Sequence, residues 1–263
     1  MEVVICDDDR EVGHVAAAQI AQVVEDRGPS VVLGVATGSS PMSTYAALAE
    51  LVDAGRLDLS HAQAFALDEY VGLPKGHPQS YHSFIQRHVV GPLHLNPHRV
   101  HVPDGTASDL EQACIDYELA MAAAGGVDVQ ILGVGSNGHI GFNEPSSSLS
   151  SRTRLKTLTR RTREDNQRFF PTLDAVPTHC LTQGLGTILD ARSVVLVASG
   201  EHKADAVAAI VEGPVTARRP GSVLQFHRFA TIVVDEAAAS KLELADYYRQ
   251  VSEAKPLVPT STS

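Results

Sequence analysis

Short apolar runs, many of them β-branched, alternate with amphipathic stretches along almost the whole chain, and this alternation narrows the fold more than any other feature. Val3–Cys6, Val31–Val35, Ala64–Leu67, Val100–Val102, Val127–Leu132, Val194–Ala198 and Ala230–Val234 read as strands. Runs this short, without a polar residue at every second place, suit strands covered on both faces. Between them, apolar residues recur at helical spacing in Val12–Val24, Pro41–Leu51, Tyr81–Val90, Ser108–Ala124, Lys203–Val211 and Ala237–Tyr247. Arg27-Gly28-Pro29 ends the first of these, and Ser108-Asp109 offers a cap to the fourth. Strand–helix alternation predicts an α/β fold: a single-domain, open, mostly parallel sheet with helices on both faces. No composition break marks a second domain, so residues 1–254 are expected to form one unit, with a disordered tail over 255–263, Lys-Pro-Leu-Val-Pro-Thr-Ser-Thr-Ser.

Bulk composition limits the partners. The 263 residues carry a formal net charge of −10, which disfavours nucleic acid and anionic membranes as partners. An anionic substrate would therefore need a locally built site. Cys6, Cys114 and Cys180 are odd in number and far apart, so neither a disulfide framework nor a zinc spacing is present, and reduced thiols in a cytoplasmic protein are expected. The first residues, Met1-Glu2-Val3-Val4-Ile5-Cys6-Asp7, are too short and too acidic for a signal peptide. No apolar run approaches the length that spans a bilayer.

Ligands of open parallel sheets bind beyond the carboxyl ends of the strands, and three loops there are unusual. Ala36-Thr37-Gly38-Ser39-Ser40-Pro41 joins a strand to a helix whose first N–H groups would receive an anion. It lacks the lysine of a Walker loop and the spacing of a dinucleotide fingerprint. An ordinary capped turn and an anion loop fit it about equally well. In Leu67-Asp68-Glu69-Tyr70-Val71-Gly72-Leu73-Pro74, two adjacent carboxylates leave a strand end. Asp68 would serve as a general base if partly desolvated, although an isolated Asp-Glu pair is more often a solvated or capping feature. Third, Gly133-Val134-Gly135-Ser136-Asn137-Gly138-His139-Ile140-Gly141-Phe142-Asn143-Glu144-Pro145 follows Val127–Leu132, with four glycines between 133 and 141. Neither helix nor strand propensity explains that density. The glycines frame His139 and Glu144, a pair suited to proton transfer near neutral pH. No third ligand stands close enough in sequence to make this a metal site.

Seven of the 21 Lys and Arg residues fall between Arg152 and Arg168. Some of them suit a local anion site and some a solvated face. Lys203, just past Val194–Ala198, stands on the ligand-binding edge, where it could meet a phosphate as a point charge.

Together these loops resemble the glucosamine-6-phosphate deaminase family, ketol isomerase/deaminases that convert glucosamine 6-phosphate to fructose 6-phosphate and ammonia. The resemblance runs from about Val31 to Val234. It is carried by Thr37-Gly38-Ser39-Ser40-Pro41, Asp68-Glu69-Tyr70-Val71-Gly72-Leu73-Pro74 and Gly138-His139-Ile140-Gly141-Phe142-Asn143-Glu144-Pro145. Ser151-Arg152-Thr153-Arg154-Leu155-Lys156-Thr157-Leu158, Arg168-Phe169-Phe170, Gly200 and Lys203 add to it. It implies a Rossmann-like sugar-phosphate isomerase fold and no cofactor. Asp68 would move a proton between C2 and C1 through an enediol-type intermediate. His139 would open the sugar ring by protonating its oxygen, oriented by Glu144. Thr37, Gly38, Ser39, Ser40, Arg168 and Lys203 would hold the phosphate. Asn137 stands where some members carry Asp, and an amide can position His139 without stabilising its cation as a carboxylate does. Ser147, Arg154 and Lys156 match an allosteric site for N-acetylglucosamine 6-phosphate that some members place between the subunits of a hexamer, so a homo-oligomer is implied. Arg160–Thr178 is a candidate lid.

Two other readings compete. A 6-phosphogluconolactonase shares the fold and the phosphate loop, but the run Asp68 to Pro74 argues against it. A sugar-responsive repressor would need a helix-turn-helix, and the first strand already begins at Val3 in an acidic chain.

Overall fold

The computed structural model describes residues 1–254, so the expected tail over 255–263 lies outside the described residues. In chain order the elements are β1 (Glu2–Cys6), α1 (Asp9–Arg27), β2 (Val32–Val35), α2 (Met42–Asp53), β3 (Gln63–Ala66), β4 (Asp68–Tyr70), α3 (Tyr81–Ile85) and β5 (Val100–His101). They continue with α4 (Leu110–Ala123), β6 (Val129–Leu132), β7 (Arg154–Thr157), α5 (Arg160–Asn166), β8 (His179–Thr182), α6 (Leu185–Leu189), β9 (Ser193–Ala198), α7 (Ala204–Val211), β10 (Ala230–Asp235), α8 (Glu236–Ala239) and α9 (Ala245–Glu253). Every strand and helix expected from the periodicity is present in some form. Local chemistry sets their limits. Asp8 caps α1 by accepting the Glu11 N–H, and Gly28, at φ 79°, ends it. Asp109 caps α4 by accepting the Gln112 N–H.

Seven strands form one sheet in the order β1-β10-β9-β6-β2-β3-β5, and all of their pairings are parallel. The inner strands β2, β6, β9 and β10 are buried on both faces, which is why they read as unbroken apolar runs. One face packs Val32, Phe65, Leu132, Leu196 and Ile232 against α4, α6 and α7. The other packs Leu33, Ala64, Ile131, Val197 and Val233 against α1 and α2. From β2 the chain runs outward through β3 to β5, then returns to β6 and proceeds the other way. The β2/β6 boundary is thus a topological switch point, where loops diverge and leave a crevice.

The sequence reading needs three corrections. A second sheet, antiparallel with order β4-β8-β7, stands off the carboxyl edge of the first. Asp68 opens β4 within it rather than lying in a loop. Second, the single helix expected over Ala237–Tyr247 is broken into α8 and α9. Asp235 caps α8, and the N–H groups of Glu243 and Leu244 donate to the Glu212 carboxylate instead of continuing the helix. Third, Tyr81–Val90 is α-helical only to Ile85 and continues as a π-helical turn over Gln86–Val90. Cys6, Cys114 and Cys180 are buried free thiols. No helix among the described residues is long and apolar enough to cross a membrane.

Candidate active site

Loops following β2, β3, β6 and β9 converge over the switch point on a cleft of about 440 Å³. Thr37, Gly38, Ser39, Ser40, Asp68, His139, Arg168 and Lys203 all line it. A larger cavity of about 570 Å³ lies beyond Glu69, between β5 and α4. It gathers none of these residues, so the chemistry belongs to the smaller cleft.

The β2–α2 loop bends at Gly38, whose φ of 91° is a left-handed value that only glycine takes without strain. Among the described residues, the N–H groups of Gly38, Ser39 and Ser40 have no acceptor. They open at the start of α2, where the helix dipole favours negative charge. Lys203 reaches the same cleft from the turn before α7 and donates to the Val134 carbonyl at 2.8 Å. Burial, and next the nearby Arg168 guanidinium, push its ammonium pKa down. Two cations that disfavour each other make a place for an anion. Of the seven basic residues between Arg152 and Arg168, only Arg161 and Arg168 face the cleft. Arg152 pairs with Glu118 and Asp190, Arg160 with Glu164, and Arg163 holds the carbonyls of Leu173 and Val176.

Asp68 is buried at the first position of β4, opposite Thr182 of β8. Burial, reinforced by the neighbouring Glu69 carboxylate, raises its pKa to about 8, against the opposing pull of a hydrogen bond from the Phe142 N–H. Glu69 points the other way and accepts the N–H groups of Tyr70, Tyr81 and His82, so it fastens β4 to the start of α3. Tyr81 then lines the cleft and shares a hydrogen bond with the Thr37 hydroxyl.

The glycine-rich segment supplies the histidine. A Cβ on Gly135 would lie 2.1 Å from His139 Cε1, because the imidazole rests flat against that backbone. His139 Nδ1 meets Asn137 Oδ1 at 2.7 Å, and Asn137 Nδ2 donates to Glu144 Oε2 at 2.8 Å. A carboxylate only accepts, so the amide nitrogen must face Glu144 and the amide oxygen must face the ring. Asn137 Oδ1 also accepts the His139 N–H at 3.1 Å. The hydrogen therefore sits on Nδ1, and Nε2, which has no protein partner among the described residues, offers its lone pair. Burial lowers the imidazole pKa, with Glu144 opposing and Lys203 adding to the shift. The expectation that Glu144 orients His139 is thereby refined: at 3.7 Å from Nδ1, Glu144 orients Asn137, and Asn137 orients the ring.

Asn137 and Glu144 thus stand behind the cleft wall rather than on it. Ser147, Arg154 and Lys156 lie outside the cleft altogether. Ser147 is buried and donates to the Glu144 carbonyl, while Arg154 and Lys156 belong to β7. Several groups at the site escaped the sequence reading: Tyr81, the Phe142 N–H, and Thr159, Thr162 and Asn166 at the two ends of α5. Tyr81 was expected to begin a helix, as it does after the cap residue Ser80, but nothing local in the sequence turned it toward the cleft. Among the described residues, no three His, Cys, Asp or Glu side chains converge as metal ligands do.

Fold and site together define an α/β enzyme whose cleft brings an anion-receptive strand–helix loop together with a buried carboxyl and a histidine. Residues 8–233 match the family described as glucosamine-6-phosphate isomerases/6-phosphogluconolactonase, and the chain belongs to that family. It is 58% identical over 249 residues to a glucosamine-6-phosphate deaminase of Cutibacterium acnes, covering 95% of each chain. It is also 58% identical over 257 residues to one of Streptomyces avermitilis, covering 97% of this chain and 98% of that protein. Among solved structures, a monomeric glucosamine-6-phosphate deaminase superposes with a TM-score of 0.89 at 39% identity, covering 92% of this chain and all of the other. The 6-phosphogluconolactonase of Trypanosoma brucei, at 18% identity and a TM-score of 0.71, shares the fold.

Proposed function

We propose that this protein is a cytoplasmic amino-sugar catabolic enzyme that converts glucosamine 6-phosphate and water to fructose 6-phosphate and ammonia. The observation that carries the reading is the meeting of Asp68, with its pKa near 8, and the neutral Nδ1–H form of His139 on one cleft with the anion loop, Lys203 and Arg168. A lactone hydrolysis transfers no proton to or from carbon, the step for which a buried base with that pKa is suited.

The phosphate docks on the loop from Thr37 to Ser40, between Lys203 and Arg168, and supplies binding energy remote from the reacting carbons. His139 Nε2 takes the proton of the anomeric hydroxyl and delivers it to the ring oxygen, so the C1–O5 bond breaks and C1 becomes an aldehyde. A neutral imidazole can open the ring in this way because the substrate provides the proton it passes on. Asp68, as carboxylate, then removes the C2 proton while the substrate's own ammonium group passes a proton to the aldehyde oxygen, giving an enediol-type intermediate with nitrogen on C2, and returns the C2 proton to C1. The resulting C2 imine adds water and releases ammonia, leaving the ketone. A base with a pKa near the working pH is suited to both halves of that shuttle. No redox or group-transfer step occurs, so the reaction calls for no cofactor.

Two further readings belong to the same proposal. Ser147, Arg154 and Lys156 form an effector site for N-acetylglucosamine 6-phosphate, supported by the buried Arg154 Nη2, which has no hydrogen-bond partner and so suits an anion from outside the chain. The protein assembles as a homo-oligomer, a hexamer in the fullest form of this reading. Ammonia and fructose 6-phosphate released in equal amounts from glucosamine 6-phosphate are the expected result. Turnover of 6-phosphogluconolactone in their place would overturn the reading.

A further inference from the structure

α5 is joined to the catalytic imidazole by an unbroken chain of hydrogen bonds. Thr162, in its first turn, donates its hydroxyl to Glu144 Oε1, and Thr159, its cap residue, lies 3.2 Å from the same oxygen. Glu144 Oε2 receives Asn137, and Asn137 receives His139. Glu144 is buried, and among the described residues no Lys or Arg lies within ion-pair distance of it; the titratable side chain nearest in that range is the neutral His139, 3.7 Å away. A carboxylate buried without a cation beside it has to be held by hydrogen-bond donors. Here they are three neutral ones: two hydroxyls from the 159–162 turn and one amide.

We propose that Thr162, assisted by Thr159, is a positioning residue for ring opening, because its hydroxyl holds the Glu144 carboxylate in place against Asn137 and so decides the tautomer of His139. The reasoning follows the donors. Without the Thr162 hydroxyl, Glu144 Oε1 loses a donor that fixes it, and the carboxylate is free to swing away from Asn137 Nδ2. With its acceptor displaced, Asn137 is free to turn its amide over. The amide nitrogen then faces His139 Nδ1, which becomes an acceptor, and the hydrogen moves to Nε2. In that form the atom facing the cleft can no longer accept the anomeric proton. Arg161, Asp165 and Arg168 on the same short segment also line the cleft. Seating this segment on the substrate phosphate therefore seats Thr162 on Glu144 as well.

This inference rests on the functional reading above, and its test separates the two. Thr162→Val keeps the side-chain shape and leaves the capping hydroxyl of Thr159 and the Thr162 N–H in place. With the full-length protein, Thr162→Val is expected to lower kcat by about tenfold or more, the scale of one lost partner to a buried polar group, while KM stays within about twofold. Thr162→Ser, which restores the hydroxyl, is expected to recover kcat to within about twofold. Nitrogen-15 spectra of the imidazole are expected to show Nδ1–H in the wild type and in Thr162→Ser, and Nε2–H in Thr162→Val. Wild-type kcat in Thr162→Val, failure of Thr162→Ser to restore it, or an unchanged tautomer in Thr162→Val would each overturn the proposal. If the wild type releases no ammonia from glucosamine 6-phosphate, the functional reading falls and the spectra alone decide the role of Thr162.

Discussion

At the scale of single residues, the base role proposed for Asp68 comes at a cost in stability. Its pKa of about 8 in the folded protein lies far above the ordinary 3.8. Between those values the folded state holds a proton that the unfolded chain has released, so stability falls as pH rises through the window and the loss is complete above about pH 8. Asp68→Asn keeps the shape and removes the charge. It is expected to abolish ammonia release and C2 proton exchange with solvent, yet to be more stable than the wild type at pH 8 by on the order of a few kcal/mol, read as a melting temperature several degrees higher. Retained C2 exchange would remove Asp68 from the base role. The same carboxyl sets the pH profile: kcat/KM of the wild type should climb toward about pH 8 as Asp68 loses its proton. On the proposed mechanism His139 must also be neutral to accept the anomeric proton, and its lowered pKa puts that second requirement at more acid pH, where the slope should steepen. Asn137→Asp puts a carboxylate against Nδ1, which favours the imidazolium. The steep acid limb should then move to higher pH with the Asp68 limb unchanged, and a profile identical to the wild type would contradict the relay through residue 137.

At the scale of elements, the parts that were legible in the sequence are those whose neighbours are all apolar. β2, β6, β9 and β10 are buried on both faces, and the loops beyond them could be located from the runs alone. β7 and β8 left no such trace. β7, Arg154–Thr157, is partly buried on one face and exposed on the other, and both strands take their order from pairing with each other and with β4. Hence Asp68 looked like a loop residue, and the case for it as a base rested on resemblance. Thr159 and Thr162 were hidden for a related reason, since a hydroxyl that grips a carboxylate 15 or 18 positions away has no local pattern. Lys203 was legible because the edge of β9 fixes where its turn must lie. It serves as the test of the anion loop as an element: Lys203→Ala should raise KM by roughly tenfold to a hundredfold, the value of a charge-assisted hydrogen bond, with kcat largely retained. Steady-state kinetics decide it, and a fall in kcat at unchanged KM would assign Lys203 to the chemistry instead of the phosphate.

At the scale of the whole molecule, the two sheets divide the work. The parallel sheet fixes the anion loop, Lys203 and His139, while the antiparallel sheet carries Asp68 at one edge and Arg154 with Lys156 at the other. β8 pairs with both, so Asp68 and Arg154 face the same residue, Thr182, from opposite sides. Thr182 Oγ1 in turn accepts the Phe142 N–H at 3.1 Å, next to the carboxyl of Asp68. A ligand that draws on the partly buried Arg154 guanidinium, whose pKa burial has already lowered, would thus act on the strand that aligns the base. Binding energy at β7 can change the site only if the effector prefers one arrangement of these strands over another. The expected outcome is that N-acetylglucosamine 6-phosphate lowers the half-saturating concentration of glucosamine 6-phosphate by about fivefold or more, the lower end of ordinary coupling energies. Arg154→Ala should abolish that response while leaving the rate at saturating substrate within about twofold. Saturation curves with and without the acetylated sugar phosphate, measured alongside the mass in solution, test the effector and the assembly together. Unchanged curves would remove Ser147, Arg154 and Lys156 from any effector role. A response in a protein that stays monomeric would place the coupling within one chain, along β7, β8 and β4.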